Sequence, residues 1–446
     1  MGRLSKFFAL VRNEYIKIFK KGGTFAVLAL MLFVIIAFEL MMCSDNRAGD
    51  HSVDRSTTES ADYSSDISWV KRSKMPRYEE KIELLSYLQQ NGISRNSWRS
   101  SVLMGYVERS YSIDEEFPLA EIEKIKGFVE DGDWKGCYGY LVESGSVKAD
   151  NALEYKFRIE HDVDPDGASY KNDLTNQICR IYSNAGVSGD ISRLPAKYRD
   201  IIALLEYQVD NDIAYNVGDY TGAKALDHSP NQWNVWSYSS VMIYVIAVAV
   251  MIFAGNIVAN EHSQGTIKFL LVNPVKRWKI LASKLFTVTS LAVLLMTAVF
   301  IICGMFASFM VGTGGLKAAW LTVENGTVSS SSPLLFVILQ WLLQSITMFI
   351  MMTLSFSLST FSRKSSIAIA LSIVALLVGN IITQLLAGFG CDWGRFLIFA
   401  NLDINAIAAG DTLFYRQTVG FAVFVIIEHM AVFLITAFDS FRKKSI

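Results

Sequence analysis

Glu428 and His429 stand side by side in the middle of a long apolar run, and Glu39 lies near the far end of another. A carboxyl or imidazole at that depth is costly in hydrocarbon, so it must face protein or water. Gln340 with Gln344, and Asn380 with Gln384, are four residues apart in two further apolar runs. Each pair shares one helical face. With Glu428 these four are candidates for an intramembrane polar path, or for an energised switch. Interhelical hydrogen bonding that locks a bundle accounts for the same residues, and both readings stay open. Glu428 and His429 are neighbours in sequence and so point in different directions on a helix, which argues against a working pair.

Other chemistries lack their parts. No Gly-x4-Gly-Lys-Ser/Thr loop is present, and Gly312-Thr313-Gly314-Gly315 lacks its spacing. There is neither a Gly-x-Ser-x-Gly elbow nor a His-Glu-x-x-His helix. The five His residues are dispersed, and the five Cys residues form no Cys-x-x-Cys, so a metal or redox centre is not expected. Cys137 and Cys179 are either a disulfide or two free thiols. The expectation is a chain with no catalytic residues, no metal and no cofactor of its own, and hence not an enzyme.

The elements that carry these residues are membrane spans. Residues 44–237 hold 33 acidic and 22 basic side chains, while the remainder holds 19 basic and 9 acidic. A near-zero net charge therefore hides an acidic part suited to water and a basic part suited to anionic lipid. Basic character of this kind does not point to nucleic acid. Residues 1–23 form an amphipathic helix, with Leu4, Phe7, Phe8, Val11, Tyr15, Ile18 and Phe19 at helical spacing. Such a basic, aromatic helix lies in the headgroup plane. Residues 24–42 are long and apolar enough to cross a bilayer. A cleaved signal peptide is disfavoured because small residues are missing before a cleavage point.

Residues 43–237 form a domain expected to be mainly helical, because few segments alternate with period two. Candidate helices run from Arg77 to Gln90, from Leu119 after Pro118, and from Ala196 after Pro195. Residues 238–446 then carry five more spans: Tyr238 to Val258, Leu285 to Val311, Leu334 to Ser359, Ile367 to Phe389 and Val419 to Phe438. The fold class is an all-α polytopic membrane protein with six transmembrane helices, an N-terminal interfacial helix and a mainly helical external insertion between spans one and two. Arg3 to Lys21, Lys268 to Lys284, Arg363-Lys364 and Arg442-Lys443-Lys444 all fall on one side of that scheme. By the positive-inside rule both termini are cytoplasmic and residues 43–237 extracellular, in a cell membrane. Residues 390–417 are too short to span yet strongly apolar, which suggests an external re-entrant or interfacial helix pair, with a simple amphipathic surface loop as the alternative.

The loop 259–284 is the most basic connection between spans. Gly265 breaks the preceding run, and Thr266 can cap a short helix that places Ile267, Leu270 and Leu271 on one face. Pro274 stops that helix or starts the next. An amphipathic helix there suits a groove on a soluble partner or a merely interfacial loop. The pattern Glu261, Gly265-Thr266, Leu270-Leu271, Pro274, Arg277, Ile280-Leu281 and Lys284 resembles the cytoplasmic coupling segment of type 2 ATP-binding-cassette (ABC) exporter permeases. The likeness implies an exporter permease subunit that moves a peptide, antibiotic or lipid-like cargo. It implies an elbow helix before span one and a second permease, identical or related, forming a dimer in the lipid bilayer. It also implies separate ATPase subunits that hold ATP and Mg and engage Glu261, Gly265, Thr266, Ile267, Leu270, Leu271, Pro274, Arg277 and Lys284. The alternative of a different class is a membrane-anchored sensor or scaffold whose extracellular domain binds a ligand or envelope partner.

Overall fold

The computed structural model describes residues 3–49, 61–74, 76–111, 116–167, 169–187, 191–217, 232–265, 276–311, 318–324, 326–362, 364–408 and 410–443. Among them, six helices are long and apolar enough to cross a membrane: Gly22–Met42, Gln232–Ser263, Arg277–Met310, Pro333–Phe361, Ser365–Gly388 and Val419–Lys443. The chain is an all-α polytopic membrane protein. It divides into two units, one of residues 1–46, 230–316 and 332–446, the other of residues 47–229 and 317–331.

The first unit begins with α1 (Arg3–Phe19) and α2 (Gly22–Gly49). It continues with α11 (Gln232–Tyr238), α12 (Met242–Ser263), α13 (Arg277–Val311), α14 (Pro333–Phe361), α15 (Ser365–Gly388), α16 (Ile404–Ala408) and α17 (Val419–Lys443). Local chemistry sets the ends. Pro333 occupies the first turn of α14, where its missing N–H costs nothing. Gly265, just past α12, takes φ 67°, a conformation that glycine adopts without strain.

Helices α12 and α14 form the tightest junction. The Ser355 and Ser359 hydroxyls donate to the carbonyls of Met251 and Gly255, both at 2.8 Å. Small polar residues at such a seam let backbones approach and satisfy one another inside hydrocarbon. Around them Met251, Ile350, Met351 and Ile426 are buried together.

After α15 the chain makes two 3-10 turns, Asp392–Phe396 and Ile398–Asn401, and then α16. The expected helix pair over 390–417 is thus replaced by turns and one five-residue helix. Their backbone is satisfied by side chains: Asn401 Nδ2 donates to Arg395 O and Leu397 O at 2.8 Å, and Gln417 Nε2 to Ala400 O at 2.6 Å. Ile398, Leu402 and Ile404 are buried, while Phe389, Trp393 and Tyr415 are exposed. An apolar inner face with an aromatic rim suits a membrane interface.

The second unit contains α3 (Ser64–Ser73), α4 (Tyr78–Gln90), α5 (Trp98–Glu108), α6 (Leu119–Asp131), α7 (Trp134–Ser144), α8 (Ala149–Glu160), α9 (Ser169–Asn184) and α10 (Ala196–Asp210). Breakers mark the boundaries as expected, with Pro118 before α6, Pro195 before α10 and Gly132 in the left-handed region after α6. Two apolar cores hold it, one around Leu85, Leu103 and Ile125 and the other around Ile178, Ile202 and Val209. Trp134, Tyr138 and Tyr140 belong to the first core. Cys137 and Cys179 are free thiols.

A small sheet completes the unit, and it corrects the boundaries 43–237 and 238–446. Strand β2 (Ala318–Glu324) pairs antiparallel with β3 (Thr327–Ser331), and β1 (Tyr215–Asn216) pairs parallel with β2. Ala319 and Leu321 are buried against Leu204. The hairpin therefore belongs with the insertion although it lies between two spans, whereas α11 joins the membrane unit.

Candidate functional site

Helix α1 positions one carboxylate among cations. Phe7 and Phe8 meet Phe286 of α13 edge-on, and Tyr15 Oη hydrogen-bonds Ser290 Oγ at 2.7 Å. Those contacts turn Val11 and Glu14 inward, where both are buried. Glu14 Oε2 accepts from Lys284 Nζ at 2.8 Å, and its Oε1 accepts from Lys17 Nζ at 2.9 Å. Glu261 Oε1, at the end of α12, accepts from the same two lysines at 2.8 Å.

Lys284 is 0% exposed, and its third bond goes to Ile257 O at 3.2 Å. All three ammonium hydrogens are thereby engaged. Two carboxylates and two ammonium groups cancel, the condition under which buried charge is tolerated. Burial opposes ionisation of Glu14, but the Lys284 charge and the bonds from Lys284 and Lys17 prevail and hold its pKa below the ordinary value. Burial likewise opposes the charge on Lys17, yet its bonds to Glu261 and Glu14 raise its pKa. The four side chains join α1, α12 and α13.

Of the residues expected to couple to an ATPase, Glu261 and Lys284 meet in this lattice. Arg277 opens α13, and its Nη1 donates to Arg442 O at 3.3 Å. Thr266, Ile267, Leu270, Leu271 and Pro274 lie outside the described residues. Sequence reasoning missed Glu14 and Lys17. A signal existed, since Glu14 is the only acid before Glu39 in an otherwise basic stretch.

Of the five polar residues proposed for a path, Gln344 and Asn380 both border Tyr244, while Gln340, Gln384 and Glu428 are engaged or exposed elsewhere. Gln340 Oε1 accepts from Ser237 Oγ at 2.8 Å, a structural bond. Gln344 lies against the Tyr244 hydroxyl, and Asn380 lines a cavity with Tyr244. Gln384 and Glu428 are exposed on the outer faces of α15 and α17. His429 Nδ1 is 2.8 Å from Val425 O, four residues earlier on the same helix. Periodicity pairs residues along one helix but does not say which face meets another helix. Glu39 is fully buried beside Ser239 and Cys303, with neither oxygen in hydrogen-bond geometry.

Comparison with known proteins finds relatives in Bacillus subtilis. It is 30% identical over 271 residues to "Uncharacterized protein YhcI" of Bacillus subtilis (strain 168), covering 59% of this chain and 82% of that protein. It is 31% identical over 211 residues to "Uncharacterized membrane protein YdbK" of the same organism, covering 47% of this chain and 81% of the relative. No solved structure matches the chain. A family profile described as "Protein of unknown function (DUF2705)" matches residues 202–446, more than half of the sequence, and the chain belongs to that family.

Proposed function

We propose that this chain is the transmembrane permease subunit of an ABC exporter, acting with separate ATPase subunits that bind ATP and Mg. In this reading both termini and the 259–284 connection are cytoplasmic, residues 43–237 are extracellular, and a second permease completes the pathway. The cargo class is a peptide, antibiotic or lipid-like molecule.

The observation that carries the reading is the lattice of Glu14, Lys17, Glu261 and Lys284. It clamps both flanks of the connection between α12 and α13 onto the interfacial helix. A push on that connection moves three helices as one body, which is how a chain without a motor transmits a partner's closure.

The test is affinity purification of the tagged full-length chain from its native membrane. An ATP-hydrolysing subunit should accompany the wild type and be lost from the Leu270→Asp, Leu271→Asp variant. Retention by that variant, or a wild-type preparation free of ATPase, overturns the reading. The second result would favour the sensor or scaffold.

A further inference from the structure

Helix α2 packs inward through Met31, Ile35 and Glu39. Nearer to α1 it stands off from α12, and two cavities fill the gap. The first, about 1080 Å³, is lined by Glu14, Lys17, Lys20, Lys21 and Glu261 together with apolar residues such as Phe253 and Ile257. The second, about 560 Å³, is walled mainly by apolar residues, Leu30 and Val34 of α2, Val245 and Val248 of α12 and Leu377 of α15, with Tyr244 and Asn380 as its polar members. Both are bounded by Val27 and Ile252, so they form one amphipathic groove, charged at the α1 end and greasy beyond it.

The charge at the mouth has a definite sign. Glu14 and Glu261 are neutralised by Lys17 and Lys284. Lys20 and Lys21 are exposed, and neither forms an ion pair among the described residues. The groove therefore presents two uncompensated cations immediately above an apolar trough. A ligand that satisfies both parts has an anionic head and a hydrocarbon tail.

We propose that this groove binds one anionic phospholipid from the leaflet on the α1 side. The phosphate group sits at Lys20 and Lys21, and an acyl chain lies along Val27, Leu30 and Val34 of α2 and Val245, Val248 and Ile252 of α12. Basic clusters flanking a span attract acidic headgroups, and apolar burial of the chain supplies the rest. The bound lipid fills the space between spans one and two, against Leu376 and Leu377 of span five. The site is independent of any ATPase, so it stands or falls apart from the transport reading.

Native mass spectrometry of the delipidated full-length chain, titrated with phosphatidylglycerol or phosphatidylcholine, tests it. Saturable binding of one phosphatidylglycerol is expected, with phosphatidylcholine much weaker. The Lys20→Gln, Lys21→Gln variant, altered only at exposed positions, should bind phosphatidylglycerol roughly 30-fold more weakly while melting at the wild-type temperature in phosphatidylcholine. Val248→Trp, which fills the trough and leaves the lysines intact, should also lose the lipid. Glycerol 3-phosphate should not compete; if it does so at equal concentration, the site takes a soluble phosphate and the proposal fails. Equal binding of the two lipids, or an unchanged double-lysine variant, also overturns it. So does a lipid-free dimer that refuses phosphatidylglycerol, because the groove then belongs to a second copy.

Discussion

Lys284 illustrates how one buried charge is made tolerable. Its ammonium bonds two carboxylates and a carbonyl, so removing it strands Glu14 and Glu261 with Lys17 as their remaining lattice cation. Lys284→Met should destabilise the membrane unit by about 3–5 kcal/mol, read as a lowered melting temperature in detergent. Adding Glu14→Gln should restore part of the loss, because the two changes share one network and are not additive. The pH dependence follows from the same contacts. Glu14 has a folded pKa below its ordinary 4.5, so its contribution is present in full above that value. It is lost as pH falls from 4.5 through the folded pKa. An acid melt should show this loss in the wild type and lack it in Glu14→Gln. An identical acid profile for the two proteins would remove Glu14 from the account.

Two elements depend on contacts that no neighbouring residue announces. At the α12–α14 seam, a Cβ on Gly255 would sit 2.7 Å from Ile369 Cγ1 and 3.1 Å from Ser355 Oγ. The first clash is with α15 and the second with α14, so three helices converge on one missing side chain. Gly255→Leu should cost about 1–3 kcal/mol by overpacking, measured by thermal melting in detergent. The β2–β3 hairpin depends on Leu321, which is 5% exposed and packs with Leu204 of α10. Leu321→Ala should cost about 2–5 kcal/mol. Faster hydrogen exchange over Ala196–Asp210 would report it, and unchanged exchange there would show that the hairpin does not support α10.

At the scale of the whole molecule, six candidate spans return the chain to its starting side. If the positive-inside rule holds for the lysine and arginine flanks, that side is the cytoplasm. Single cysteines placed at Lys21, Lys276 and Lys443 should react with a membrane-impermeant reagent only after the cells are opened. A cysteine at Lys124, in the second unit, should react on intact cells. Labelling of Lys124 and Lys276 from the same side would reverse the topology and with it the proposed docking of an ATPase. The pairing of residues 47–229 with 317–331 in one unit adds a constraint, because both segments must emerge on the same face of the membrane. The hydropathy scheme already requires this, placing each between an odd-numbered span and the next even-numbered one.

The number of spans, the helical character of the insertion and the breaks at Pro118, Pro195 and Gly265 were determined by the amino-acid sequence alone. Each rests on local physics: apolar run length, 3.6-residue spacing, a missing N–H, or a positive φ. The hairpin escaped notice because its strands are short and Thr327–Ser331 is polar, so its pairing with Tyr215–Asn216 left no periodic mark. Only the tertiary structure decided that Glu14 and Lys17 join Glu261 and Lys284, across separations of 270 and 244 residues. It likewise decided that Glu428 faces outward while Glu39 is buried. A helix's own sequence fixes which residues share a face, but the packing of its neighbours selects the face that is covered.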